Sequence, residues 1–131
     1  MPLELRLLVY SVALLFVLVA VQATAGVMAQ GLMPMAGNRD ALGEPKPFQA
    51  RTKRLVDNHR EGLILFAPLI LTAALLHVST GTTELGARMS FYSRVAHAAI
   101  YLLGLPLVRP LFWGIGMAGT VMIFLALFQI A

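Results

Sequence analysis

Arg54, Asn58 and Glu61 stand at positions i, i+4 and i+7, immediately before an apolar run that starts at Leu63. On a helix these three side chains share one face. A cationic fork, an amide and a carboxylate together suit a small zwitterion better than they suit lipid: arginine takes carboxylates through paired hydrogen bonds, and glutamate takes an ammonium group. A second set follows. Arg94, His97 and Tyr101 lie at i, i+3 and i+7, again on one helical face, and Arg109 stands eight residues beyond Tyr101, between Pro106 and Pro110. Each residue has a plainer reading. Arg54 and Glu61 can form an internal ion pair, Tyr101 can be an interfacial aromatic, His97 a hydrogen-bonded core histidine, and Arg109 a topology anchor. Two neighbouring polar faces that open toward the same side outweigh those separate readings, because topology signals alone do not require that alignment.

The elements that must position these residues are helical and apolar. The chain has 131 residues, 59% hydrophobic and 12% charged, with a mean hydropathy of +0.81. That composition lies far outside the soluble range. The apolar residues fall into four blocks, Leu7 to Ala25, Leu63 to Val78, Leu85 to Leu105 and Leu111 to Ile130. Each is near the roughly 20 residues that a helix needs to cross a bilayer. Lipid excludes open sheets, and no period-2 alternation points to a barrel. The expected fold is therefore all-α, an integral membrane four-helix up-down bundle forming a single domain over residues 1–131, with helices at about 3–27, 50–78, 84–105 and 110–130. Arg94 would lie about 11 residues before the end of the third helix, roughly 16 Å down its axis. An arginine at that depth must face a protein interior or a wet cavity.

Between the blocks, Gln30 to Phe48 is rich in Gly and Pro and reads as an irregular surface loop. Pro68 falls inside the second helix. The run Ser79-Thr-Gly-Thr-Thr83 reads as a turn, with Thr82 or Thr83 available as an N-cap. Gly104 and Pro106 end the third helix, and Pro110 opens the fourth. Small residues four apart in the fourth helix, such as Gly114 and Ala118, permit close helix approach. A cleaved signal peptide is a rival reading of the first block, on Val27-Met28-Ala29. Glu4 offsets Arg6 in the leading segment, however, and the block is longer than a typical signal core.

The formal charge of +4 and pI near 10.1 do not point to nucleic acid. The cations crowd the first connection, at Arg39, Lys46, Arg51, Lys53, Arg54 and Arg60, as the positive-inside rule describes. The first and third connections are then cytoplasmic and both termini outside. There is no cysteine, so any thiol chemistry must come from a bound molecule. His59, His77 and His97 show no metal-ligand spacing, and no metal is expected.

Two segments carry a family resemblance. Arg54-x-x-x-Asn58-x-x-Glu61, followed by Leu63-Ile-Leu65-Phe66-Ala67-Pro68, resembles the signature of the membrane-associated proteins in eicosanoid and glutathione metabolism (MAPEG). The stretch from Arg94 through His97, Tyr101, Gly104 and Pro106 to Arg109 is similar to the third-helix motif of bacterial members, of the microsomal glutathione transferase type. The resemblance implies a homotrimer in a bacterial inner membrane, with glutathione bound between neighbouring subunits near the cytoplasmic face. Arg54, Asn58 and Glu61, with Arg51 one turn earlier, would hold glutathione. Arg94, His97 and Tyr101 would close the site, Arg94 and Tyr101 from the neighbouring subunit, and Arg109 would be the catalytic residue that stabilises the thiolate. The chain departs from the pattern at His97, a tyrosine in some catalytic members, and at Gly62, where those members can have an aromatic.

The implied activity is a membrane-bound, glutathione-dependent transferase or peroxidase, serving detoxification of hydrophobic electrophiles or lipid hydroperoxides. The alternative is a non-catalytic glutathione-binding or regulatory membrane protein of the same fold. A transporter fits less well, because the second helix is apolar beyond Glu61 except for Thr72 and His77.

Overall fold

A computed structural model describes residues 1–130. They form four long helices and one short one: α1 (Leu3–Gln30), α2 (Leu32–Ala36), α3 (Pro47–Leu75), α4 (Gly81–Leu103) and α5 (Arg109–Phe128). The chain is helical where apolar blocks meet good stop signals, and each stop has a local cause. Gly31, with φ of 92°, breaks α1 from α2. The Gly- and Pro-rich connection is therefore not wholly irregular, since Leu32–Ala36 makes a short helical turn within it. Pro47 sits in the first turn of α3, where a missing N–H costs nothing, and the Gln49 side chain accepts the Lys46 N–H at 3.3 Å. That start lies three residues ahead of the Ala50 expected from the sequence.

At its other end α3 stops at Leu75 rather than running to Val78. The Val78 N–H reaches back to the Ala73 carbonyl at 2.8 Å, and the His77 N–H to the Ala74 carbonyl at 3.1 Å. This paired closure needs a left-handed residue, and His77 supplies it with φ of 54°. The same closure ends α4, where Gly104 takes φ of 76° and the Leu105 N–H bonds the Ile100 carbonyl. The N-cap of α4 is Thr80, not Thr82 or Thr83. Thr80 Oγ1 accepts the Thr83 N–H, and Thr83 Oγ1 accepts the Thr80 N–H in return. Thr83 Oγ1 also donates to Glu4 at 2.6 Å, and Ser79 donates to the same carboxylate. The buried Glu4 thus ties the head of α1 to the α3–α4 turn.

Helix α4 packs most extensively against α5, and α1 against α3, while α3 touches both α4 and α5. Two apolar clusters form the interior. Leu7 and Leu8 of α1 meet Phe66, Ile70 and Ala73 of α3, Ala87 of α4, and Ile123 and Leu127 of α5. Leu18, Leu55, Val56, Ala98 and Tyr101 form the second. Between the two clusters the buried residues of α1, α3 and α4 include Ser11, His59, Ser90 and Arg94, and α5 adds the buried Thr120. Large apolar side chains line the outside, among them Phe16, Leu71, Leu75 and Phe128. Soluble monomers rarely carry such continuous apolar surface. By length and apolarity two helices, α1 and α5, can cross a membrane, whereas α3 and α4 carry the polar faces.

The α4–α5 contact is backbone to backbone. A Cβ on Gly119 would stand 2.5 Å from the Gly86 carbonyl oxygen, and one on Gly86 would stand 2.6 Å from that of Gly119. Gly114 has nothing within 4 Å, so the close approach uses Gly86, Gly116 and Gly119 rather than Gly114 and Ala118. We therefore expect Gly119→Ala to cost about 2 kcal/mol of stability through overpacking. Gly114→Ala should be neutral or slightly stabilising. Unfolding in detergent, followed by circular dichroism, compares the two; equal effects would contradict the packing described.

Candidate functional site

The polar faces of α3 and α4 meet along one seam. Arg54 Nε donates to the Tyr101 hydroxyl at 2.9 Å. Arg109, at the start of α5, places its guanidinium carbon 4.8 Å from the centre of the Tyr101 ring, in cation–π range. His97 packs against the same ring with centroids 5.6 Å apart. One turn from Tyr101, Gly104 faces Arg51, since a Cβ on that glycine would stand 2.8 Å from Arg51 Nη1. Two turns back along α4, Arg94 Nη1 donates to Asn58 Oδ1. Tyr101 thus joins α3, α4 and α5, and Asn58 and Arg94 form a second α3–α4 link. The resemblance implied that Arg94 and Tyr101 reach the site from a neighbouring subunit; here both already bond α3 of their own chain.

Charge along this seam is unbalanced. The ion pairs among the described residues are Lys53–Asp57, Arg60–Asp57 and Arg88–Glu84, all on exposed faces. Lys53 and Arg60 share the Asp57 carboxylate, at 2.8 and 2.7 Å. None of Arg51, Arg54, Arg94 and Arg109 has a carboxylate within 4.0 Å among the described residues. Arg54 and Glu61 are therefore not an internal pair. Arg51 Nε is buried with no hydrogen-bond partner, a costly state for a charged donor. Its guanidinium is 5.7 Å from the Phe48 ring. Glu61 is exposed on the same face of α3.

Below the seam lies the buried polar layer. His59 Nε2 donates to the Ser11 carbonyl at 2.8 Å, linking α3 to α1. Ser90 and Thr120 are 2.9 Å apart, and Ser90 Oγ also donates to the Gly116 carbonyl, linking α4 to α5. These contacts, like the Glu4 tie, were not anticipated from the sequence. The spacing of Gly86, Ser90 and Ser93 on one face of α4 was the available signal. A separate cavity of about 540 Å³ opens between α1 and the start of α3, lined mainly by Val17, Ala20, Val21 and Met28, with Phe48 and Lys46 at its edge. Phe48 joins this apolar space to Arg51.

Residues 7–129 match the family model of the MAPEG family, and the chain belongs to that family. No curated protein and no solved structure matches it. Membership, together with two apolar helices of spanning length, makes it an integral membrane protein, and fits glutathione-related membrane roles.

Tyr101→Phe should remove the Arg54 bond while leaving the ring beneath Arg109. A cost of about 1–2 kcal/mol is expected, as for a hydrogen bond to a charged group. In a double-mutant cycle with Arg54→Met the two losses should be non-additive. Simple additivity would mean that the bond contributes nothing.

Proposed function

We propose that this protein is a glutathione-dependent transferase or peroxidase of the bilayer. It would act on hydrophobic electrophiles or lipid hydroperoxides through an arginine-stabilised thiolate. The observation that carries the reading is the cationic seam, in which four arginines on α3, α4 and α5 have no carboxylate within 4.0 Å among the described residues, while Arg51 keeps an unspent buried donor. Such a seam suits a ligand with more than one anionic group, and glutathione has two carboxylates and an ionisable thiol. In this reading Arg51 and Arg54 take carboxylates, Asn58 a backbone oxygen and Glu61 the ammonium. Arg94, His97 and Tyr101 shape the wall.

The thiol is placed beside Arg109. A fixed guanidinium there favours the ionised sulfur, which is the nucleophile. The sulfur then forms a bond to an electrophilic carbon and displaces its leaving group. With a hydroperoxide, the sulfur instead attacks the terminal peroxide oxygen and releases the lipid alcohol; a second thiol then converts the sulfenic product to disulfide and water. The cavity beside Phe48 offers an apolar space for the second substrate, which reaches it by partition from the bilayer. We further propose the arrangement in which all four long helices cross a bacterial inner membrane as a single-domain up-down bundle, with the first and third connections cytoplasmic and three copies forming the assembly.

Purified protein in lipid should bind glutathione and generate thiolate absorbance. Arg109→Ala should lower conjugation at least about a hundredfold, as when a transition-state charge partner is lost, while binding weakens little. Glu61→Gln should weaken binding by roughly tenfold or more. Binding without turnover across a broad electrophile panel would favour the non-catalytic alternative, and absence of a thiolate signal at saturating glutathione would overturn the mechanism.

A further inference from the structure

The guanidinium of Arg94 occupies the space that a side chain at Gly62 would otherwise fill. A Cβ on Gly62 of α3 would stand 2.6 Å from Nη2, 2.8 Å from Cζ and 3.0 Å from Nε of Arg94. One on Gly116 of α5 would stand 2.6 Å from Ser93 Oγ and 3.5 Å from Arg94 Nε. Neither glycine has positive φ, so backbone freedom does not account for them. Both lie inside helices, where glycine is a poor former. What Gly62 supplies is room on α3 for a planar cation that is itself buried on α4, while Gly116 makes room on α5 for the neighbouring Ser93 hydroxyl.

The seat has a chemical consequence at Asn58. Arginine has only donors, so the amide that meets Arg94 must present its carbonyl oxygen. The Asn58 NH2 group is thereby turned away from Arg94, and Asn58, which is only half-buried, offers its donors outward. We propose that Gly62 is a positioning residue that seats the Arg94 guanidinium, and that the seated arginine fixes Asn58 as a hydrogen-bond donor to a carboxylate or carbonyl oxygen of the bound ligand. The ligand half rests on the glutathione reading; the seat does not. An Asn58 limited to donating selects an acceptor oxygen and rejects an ammonium group, which is left to Glu61 one turn on.

The test uses the full chain in lipid nanodiscs, with apparent melting temperature and glutathione titration as readouts. Gly62→Ala should lower the melting temperature by roughly 4 °C or more and weaken glutathione binding about tenfold. In an Arg94→Lys background the ammonium does not fill the seat, and adding Gly62→Ala should then change the melting temperature little. Should Arg94→Lys fail to fold, Arg94→Met, which keeps an unbranched stem, provides the background. Asn58→Asp keeps an acceptor for Arg94 and gives it a paired anion, so the melting temperature should hold or rise, while loss of the amide donor weakens glutathione binding about tenfold. A Gly62→Ala penalty of equal size with and without Arg94 would overturn the seat. Asn58→Asp that binds glutathione like wild type would overturn the donor assignment. If wild type binds no glutathione while the Gly62–Arg94 non-additivity persists, the glutathione reading and the donor half fall and the seat stands.

Discussion

A guanidinium buried among helices without a carboxylate beside it is the constraint on which the rest of this structure depends. Removing a cation from water costs several kcal/mol, and a paired anion is the usual remedy. Arg94 has none within ion-pair distance among the described residues, and its hydrogen bond goes to the neutral amide of Asn58. The neighbouring polar residues make that arrangement tolerable. Ser90, Ser93, Thr120 and His59 form a layer of dipoles around the cation, each satisfied by a carbonyl or a hydroxyl. Two apolar clusters close the layer off on either side. Small residues then become obligatory, because the guanidinium and the hydroxyls need volume that ordinary side chains would take.

That requirement orders the helix packing. Gly116 and Gly62 leave space for Arg94 and Ser93, and Gly86 and Gly119 continue the small surface until the α4 and α5 backbones touch. Where lipid surrounds the helices there is little hydrophobic drive to pair them, and close backbone contact with interhelical hydrogen bonds replaces it. Helix α1 joins the set differently, through the His59 bond to Ser11 and the Glu4 carboxylate held by Ser79 and Thr83. One polar tie thus sits within the polar layer and another at the far end.

What could be read from the sequence follows the range over which each signal acts. The helical period placed Arg54, Asn58 and Glu61 on one face and Arg94, His97 and Tyr101 on another, and proline and glycine marked the start of α5 and the end of α4. Short-range signals also misled. A hydroxyl run offers several caps of equal local merit, and Thr80 is selected because Thr83 is also engaged by Glu4, 79 residues away. The end of α3 was missed because a histidine, not a glycine, takes the left-handed position. The glycines of α5 could be recognised as a packing surface, but which of them touch depends on the rotation of α5 against α4, which no single-helix period contains. Gly62 looked like a lost aromatic contact; its role emerges only once Arg94 lies against it.

The distribution of carboxylates sharpens the meaning of the seam. Asp57 stands between Asn58 and Val56 in sequence, yet helical geometry turns it outward, where Lys53 and Arg60 share it. Glu84 serves Arg88 on α4 in the same way. The acids that neutralise cations thus work on exposed faces, where ion pairs contribute little to stability. Along the seam, where neutralisation would contribute more, the arginines contact a phenol, an aromatic face and an amide instead. A phenol and an amide can hold a cation in place without cancelling its charge. An arrangement selected only for stability would bring a carboxylate to Arg51 or Arg94, whereas in the proposed reading an anionic ligand takes that place. In the proposed reading the exposed Glu61 complements the arginines: among the described residues of the two polar faces it is the acid left outside any ion pair, and so is available to the opposite end of a zwitterion.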